Sequence, residues 1–327
     1  MPDKEFLDII HNHLPLLNTQ NDQSLKQITI DLEGFYSYIE QGIHYDSFDV
    51  IKAYIHWLIN RFEHLKLKND DITKFLAAIS DDLYPINPHP FIRRIKEIKI
   101  EDAVFKSYLT DKNNPLLEEA KAYLDALIAQ NQAEATKIIL SLKGNTDIKL
   151  MYDHLFQVVL YETGYLWQIG RIGIANEHYI TAFTQFMMSQ FYDELFSNEK
   201  NNKHLVAAAV GNEIHEIGIR MIADMFEYHG WNTHYLGANI PTEAMISHLK
   251  KHPTDIVAFS ITMPNHLKRL ETVIQAIKAE ETLTDLKIIV GGQPFMLDHT
   301  LYKKIGADGF AKNIDDAIQL GDDLIAN

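Results

Sequence analysis

The chain contains no cysteine, and this absence removes several classes of function at once. Without thiols it can form no disulfide, no thiolate metal site and no cysteine nucleophile. Basic residues are also scarce, because 30 lysines and arginines stand against 45 acidic residues, for a net charge of −15. A nucleic-acid-binding domain normally carries a basic patch, so we expect no direct binding to DNA or RNA.

Long apolar runs are absent as well. No stretch approaches the ~18–20 apolar residues of a membrane span. The first ten residues, MPDKEFLDII, lack the basic and apolar regions of a signal peptide. We therefore expect a cytoplasmic protein with no membrane contact. Hydrophobic residues make up 46% of the 327 residues, an ordinary share for a globular chain.

Hydrophobic periodicity predicts three domains. Residues 1–112 carry apolar residues at three- and four-residue steps, which predicts a helical N-terminal domain of unknown role with helices over 4–13, 24–41, 45–66 and 69–82. Residues 115–198 predict four helices with short links, as in an antiparallel four-helix bundle. From 203 to 327 short apolar strands alternate with helices, which predicts an α/β domain with a doubly wound, Rossmann-like or flavodoxin-like parallel sheet.

Such sheets bind ligands at the carboxyl ends of their strands. The loop after the first predicted strand begins at Gly211 and runs through Glu213 and His215 to Gly218. A histidine whose second ring nitrogen is held by a carboxylate is a well-oriented metal ligand, so Glu213 could orient His215 for metal binding. On its own this loop favours an ordinary surface histidine with acidic neighbours.

Three further features fall at the ends of the other strands. Gly237 follows the second strand, Ser260 and Thr262 close the third, and Gly291 and Gly292 end the fourth. Glycines let the backbone approach a bulky ligand, and a serine hydroxyl can donate a hydrogen bond to a buried nitrogen heterocycle. All these positions lie on one edge of the predicted sheet, which favours a ligand site there.

The combined pattern resembles a known family. Glu213-x-His215-x-x-Gly218, then Ser260-x-Thr262, then a glycine pair is similar to the cobalamin (vitamin B12)-binding domain of methionine synthase, corrinoid methyl-transfer proteins, mutases and B12 photoreceptors. The resemblance implies a cobalamin cofactor with His215 as the lower ligand of cobalt. The displaced tail of the cofactor would pass Ser260 and the glycines. Glu213 stands where the family pattern has aspartate.

A second resemblance concerns the predicted bundle. Trp167 is followed after nine residues by Glu177 and His178, a pattern similar to the cap of B12-dependent light-responsive repressors. In that family these side chains cover the upper face of adenosylcobalamin. Two departures stand out: Gln168 occupies a position where those repressors carry histidine, and residues 1–112 lack their basic, MerR-type DNA-binding domain.

The resemblance implies a cobalamin-binding sensor, an adenosylcobalamin-dependent photoreceptor that signals through a protein partner or self-association and contributes to transcription regulation. Methylcobalamin is the other form of the cofactor considered. On this interpretation the protein is a regulator more than an enzyme. Two alternatives stay open: a corrinoid methyl carrier of a methyltransferase system, and a B12-responsive antirepressor.

Overall fold

The computed structural model describes residues 3–19, 22–103, 105–211 and 215–326. The chain divides into two compact units, the first formed by Met1–Lys106 with Gln168–Gly170, and the second by Ser107–Trp167 with Arg171–Asn327. The three-domain division suggested by the sequence stays a prediction. Among the described residues, no helix has both the length and the apolar character needed to cross a membrane.

The first unit is helical, because its apolar residues recur at helical spacing and close around a shared core. Its helices are α1 (Asp3–His13), α2 (Asp22–Glu33), α3 (Phe35–His44), α4 (Phe48–His64), α5 (Asn69–Leu83) and the short α6 (Pro90–Arg94). The longest of them, α4, buries Ile51, Ile55 and Leu58 along one face. The helical N-terminal region is confirmed.

The single helix predicted over 24–41 is wrong, because the structure separates α2 from α3 at Gly34. The hydroxyl of Tyr54 donates a 2.5 Å hydrogen bond to the main-chain carbonyl of Asp31, near the end of α2. A Cβ atom at position 34 would lie 2.7 Å from the same hydroxyl. Glycine therefore leaves room for the tyrosine to approach.

A buried ion pair joins α2 to α4. Arg61 Nε donates to Asp31 Oδ2 at 3.0 Å, and both side chains are buried. Arg61 Nη1 also donates to the carbonyl of Gln168 at 2.9 Å, within the short segment that belongs to this unit. Because an uncompensated charge in a protein interior costs several kcal/mol, the pair and its hydrogen bonds form one interdependent set.

The second unit opens with the helices α7 (Leu117–Ile128), α8 (Gln132–Leu142), α9 (Ile148–Leu150), α10 (Gln157–Gln168), α11 (Ile174–Met188) and α12 (Tyr192–Leu195). A π-helical turn, Met151–Phe156, connects α9 to α10. The hydroxyls of Tyr123 on α7 and Thr184 on α11 lie 3.3 Å apart in the interior. This contact links α7 to α11 within the layer of helices that precedes the sheet in the chain.

The sheet that follows is fully parallel. Its strands are β1 (His204–Ala209), β2 (Asn232–Tyr235), β3 (Ile256–Ser260), β4 (Lys287–Gly291) and β5 (Gly309–Phe310), in the order β2-β1-β3-β4-β5. The helices between and after them are α13 (Ile217–Tyr228), α14 (Thr242–Lys251), α15 (Leu267–Lys278), α16 (Gln293–Leu297), α17 (Leu301–Lys304) and α18 (Ile314–Ala326). Central strands are buried on both faces, as a doubly wound sheet requires. The predicted fold class is confirmed.

The buried ion pair yields a stability prediction. We expect Arg61→Met to lower the free energy of unfolding of the full chain by about 3 kcal/mol, because it leaves the Asp31 carboxylate buried without its partner. Urea denaturation followed by circular dichroism measures the change. The matched control is Lys137→Met, since Lys137 forms only an exposed pair with Glu134, whose loss should cost under about 1 kcal/mol. Equal effects of the two substitutions would contradict the role of the buried pair.

Candidate functional site

Loops from neighbouring strands meet at one edge of the sheet. In the strand register Ala209 of β1 lies beside Ser260 of β3, and Ser260 lies beside Gly291 of β4. The chain crosses from one side of β1 to the other between β2 and β3, which makes the β1–β3 boundary the switch point of the sheet. Parallel α/β sheets bind ligands in the crevice outside the strand ends at this point. The loops after β1, β3 and β4 border that crevice.

The loop from β1 to α13 carries the predicted metal ligand. His215 is exposed and lies two residues before α13 begins. Glu213 lies outside the described residues, so its hydrogen bond to His215 stays a prediction. Gly218 is in the first turn of α13, and a Cβ atom built there would meet no atom of the described residues within 4 Å.

Glycines at the strand ends adopt backbone conformations that other residues rarely take. Gly211, Gly237 and Gly292 have φ angles of +93°, +76° and +100°, a backbone region that favours glycine. A Cβ atom at Gly292 would lie 2.0 Å from the carbonyl oxygen of Ile261, and one at Gly211 would lie 2.9 Å from the ring of His266. Glycine at these two positions therefore lets Ile261 and His266 pack closely against the main chain at this edge.

Ser260 and Thr262 sit at the end of β3, beside the glycine pair. The carbonyl of Ser260 accepts from the amide of Val210 at 3.2 Å, and Ile261 N donates to Gly291 O at 3.3 Å. The main chain is thereby fixed across three strands, while the Ser260 and Thr262 side chains are half-buried at the edge. The fold brings the predicted serine, threonine and glycines to one edge; their contacts with a cofactor stay a prediction.

The predicted cap residues lie in the helical layer of the same unit. His178 Nδ1 is 2.6 Å from Glu177 Oε2, and Thr181 Oγ1 donates to Glu177 Oε1 at 3.0 Å. The His178 side chain is 60% exposed, whereas Trp167 is half-buried one residue before α10 ends. Glu177 and His178 thus form an accessible carboxylate–imidazole pair in the first turn of α11. Their role above a cofactor stays a prediction.

Gln168 is engaged elsewhere. Its side-chain amide donates to the carbonyl of Trp57 at 3.4 Å, and its own carbonyl accepts from Arg61. The residue is buried and belongs to the first unit. The Gln168 side chain is thus hydrogen-bonded to α4. It does not substitute for the histidine that light-responsive repressors carry at this position.

Sequence reasoning missed the contacts that anchor α13. Tyr152, in the π-helical turn, donates to Asp224 Oδ2 at 2.9 Å, and Arg220 donates to the hydroxyl of Tyr192. Burial raises the pKa of Asp224 to about 6, although its hydrogen bond from Tyr152 and the charge of Arg220 oppose the rise. One feature of the sequence could have indicated these contacts: Arg220 and Asp224 have i, i+4 spacing on a predicted helix. These contacts fix the helix that follows the His215 loop.

A parallel sheet with a glycine-lined crevice at its switch point defines a Rossmann-like ligand-binding domain. Comparison with family models identifies the ligand: a B12 binding domain model matches residues 203–319, and a second B12 binding domain model matches residues 119–191. The helical layer and the sheet of this chain are therefore B12-binding domains, a helical cap followed by the cobalamin-binding α/β domain.

Named relatives agree with this assignment. The dimethylamine corrinoid protein of Methanosarcina barkeri is 29% identical over 122 residues, which span 37% of this chain and 56% of that protein. A corrinoid protein of Desulfitobacterium hafniense is 26% identical over 129 residues, which span 39% of this chain and 59% of that protein. The matched region thus spans little more than half the length of these relatives.

A solved structure shares the fold. The monomethylamine corrinoid protein of Methanosarcina barkeri superposes with a TM-score of 0.55 at 19% identity. The superposition covers 100% of that chain and 65% of this one. The fold shared with that protein therefore leaves about a third of the present chain without a counterpart.

The photoreceptor prediction is wrong, and the predicted signalling and transcription-regulation roles are not supported. Several of the relatives are dimethylamine corrinoid proteins, which favours the methyl-carrier alternative. The Trp167-x9-Glu177-His178 pattern misled because it lies inside residues 119–191, which match a general B12-binding model. The pattern indicates a cobalamin cap but does not specify a response to light.

The buried carboxyl group of Asp224 gives a pH prediction. Because its pKa is raised from 3.8 to about 6, the protonated form is favoured in the folded protein, and stability is lost as pH rises from about 4 through 6. The pKa difference corresponds to at most about 3 kcal/mol. We expect Asp224→Asn, which still accepts from Tyr152, to be more stable relative to wild type at pH 7 than at pH 4.

Urea unfolding at a series of pH values measures this difference. The matched control is Asp125→Asn, which changes an exposed aspartate on α7 and should retain the wild-type pH profile. If the difference in the free energy of unfolding between Asp224→Asn and wild type is constant from pH 4 to pH 7, Asp224 does not titrate in this range.

Proposed function

We propose that this chain is a corrinoid methyl-carrier protein of a methyltransferase system. One observation carries the proposal: dimethylamine corrinoid proteins are 28–29% identical to this chain over 122–127 residues. The fold agrees, because a monomethylamine corrinoid protein superposes over its whole length on 65% of this chain. When bound, cobalamin supplies a cobalt centre that accepts a methyl group and later gives it up.

The residues at the strand ends would hold the cofactor. We assign His215 as the lower cobalt ligand, since neutral imidazole is a good ligand for such metals and this side chain is exposed at the switch-point loop. Glu213 would fix the ring by a hydrogen bond. Gly211, Gly218, Gly237, Gly291 and Gly292 would leave room for the corrin and its tail, with Ser260 and Thr262 donating hydrogen bonds at the edge.

The cap residues would face the reactive side of the cofactor. Trp167 would pack against the ring, and the carboxylate–imidazole pair of Glu177 and His178 would supply polar contacts from the start of α11. Because a carrier has to deliver its methyl group to another protein, the partner we propose is a methyltransferase, with a methylamine as the class of methyl donor. Methylcobalamin replaces adenosylcobalamin as the proposed form, since the adenosyl form depended on the likeness to light-responsive repressors.

The state of the bound cofactor tests this function. The native full-length protein is purified in the dark, and the bound corrinoid is identified by mass spectrometry and absorption spectroscopy. We expect methylcobalamin or the form without an organic upper ligand, and we expect added methylamine and cell extract to increase the methylated fraction. Stoichiometric adenosylcobalamin that persists during this incubation would overturn the carrier proposal.

The assignment of His215 is tested separately. We expect His215→Ala to lose the absorption spectrum of histidine-ligated cobalamin upon titration with methylcobalamin, and to regain it when free imidazole is added, because imidazole can occupy the position of the missing side chain. The matched control is His229→Ala, at the opposite end of α13, where the ring bonds only to the carbonyl of Met225 at 2.8 Å. An unchanged spectrum in His215→Ala would exclude this residue as the ligand.

A further inference from the structure

Three histidines of the α/β domain lie against one another outside the cobalamin site. His234 is on β2, the edge strand of the sheet, and His248 is on α14, with His252 directly after the helix. His234 and His252 are exposed and His248 is half-buried. We refer to these three residues as the histidine cluster. None of its members has a role in the proposed methyl-carrier function.

The distances within the cluster fit metal coordination. His234 Nδ1 is 3.2 Å from His248 Nε2. Zinc–nitrogen bonds of about 2.0–2.1 Å in a tetrahedral site place two ligand nitrogens about 3.3 Å apart. The two nitrogens therefore already have the separation of a chelating pair. Without a metal they share one hydrogen bond, in which one ring donates and the other accepts.

The third ring lies close to the other two. The centre of the His252 ring lies 4.4 Å from that of His248 and 5.3 Å from that of His234, and the latter two are 5.3 Å apart. Three imidazoles on one tetrahedral metal have ring centres about 5 Å apart. The amide of His252 donates to the carbonyl of His248, so the two side chains keep the i, i+4 spacing of a helical metal-binding pair.

We propose that the histidine cluster binds one divalent transition-metal ion of the zinc or nickel type, with His234 Nδ1, His248 Nε2 and one nitrogen of His252 as ligands and water in the remaining position. In the described parts of the chain no three histidine or acidic side chains already converge as a complete metal site. A three-histidine site therefore requires the exposed ring of His252 to turn about its side-chain bonds towards the other two rings. Imidazole ligands suit these metals, and the absence of cysteine excludes thiolate competition.

The ion would cross-link the edge of the sheet to its covering helix. β2 and α14 are joined by the segment 236–241, which contains Gly237 of the crevice. Lys250, the cation two residues after His248, has its ammonium group 2.5 Å from Glu280 Oε2, so its charge is compensated by that carboxylate. The site thus combines the imidazole of His234 from β2 with those of His248 and His252 from the C-terminal end of α14.

Calorimetric titration with ZnCl₂ tests the proposal. The full chain is prepared without a histidine tag, stripped with EDTA and compared with His248→Ala, His252→Ala and the control His229→Ala, in which an exposed histidine outside the cluster is removed. We expect one Zn²⁺ per wild-type chain. Even outer partners of metal ligands contribute about 10–100-fold to affinity, so loss of either cluster ligand should weaken binding at least about tenfold. His229→Ala should bind as wild type does.

The outcomes separate the possible arrangements. X-ray absorption at the zinc edge should give three imidazole ligands in wild type and two in His252→Ala. Loss of binding in His248→Ala with an unchanged affinity in His252→Ala would overturn the three-histidine site. Equal binding by all four proteins, or no binding by wild type, would overturn the proposal altogether and leave the pair as a simple hydrogen bond. Cobalamin takes no part in this assay, so the result is independent of the methyl-carrier function.

Discussion

The register of three parallel strands is the constraint on which the functional half of this protein depends. Backbone hydrogen bonds align Ala209, Ser260 and Gly291 across β1, β3 and β4, so the loops that follow these strands must open at the same edge. A shift of one residue in any strand would turn its side chains to the opposite face. The buried, apolar strands prevent such a shift, because both faces of the sheet are covered.

This edge is supported from the side by the helical layer. α13 follows the His215 loop, and its outward face is held by Tyr152 through Asp224 and by Tyr192 through Arg220. The π-helical turn that contains Tyr152 is an irregularity of the kind often found at functional sites. The helical layer is therefore joined to α13 by polar contacts.

The helical N-terminal unit has a different basis for its stability. Its core is apolar, but the pair of Asp31 and Arg61 adds a buried charge network that also engages the carbonyl of Gln168. Buried ion pairs contribute little net stability compared with apolar residues, yet each partner requires the other. This network is a feature of the helical N-terminal unit.

The sequence by itself determined the fold class and the helical nature of the first third, because these follow from hydrophobic periodicity along the chain. The position of a cobalamin site at the strand ends, which rests on glycine and histidine spacing, stays a prediction. The sequence did not determine the break at Gly34, close to which the hydroxyl of Tyr54 from another helix lies. Nor did it reveal the histidine cluster, whose members all lie between His234 and His252 but meet only when β2 pairs with β1 and α14 folds back on the sheet. The function was misjudged at a short motif, since Trp167, Glu177 and His178 lie inside residues 119–191, which match a model described only as a B12 binding domain. Local patterns report what each segment can form, whereas side chains from separate elements interact only after the tertiary fold has fixed their distances.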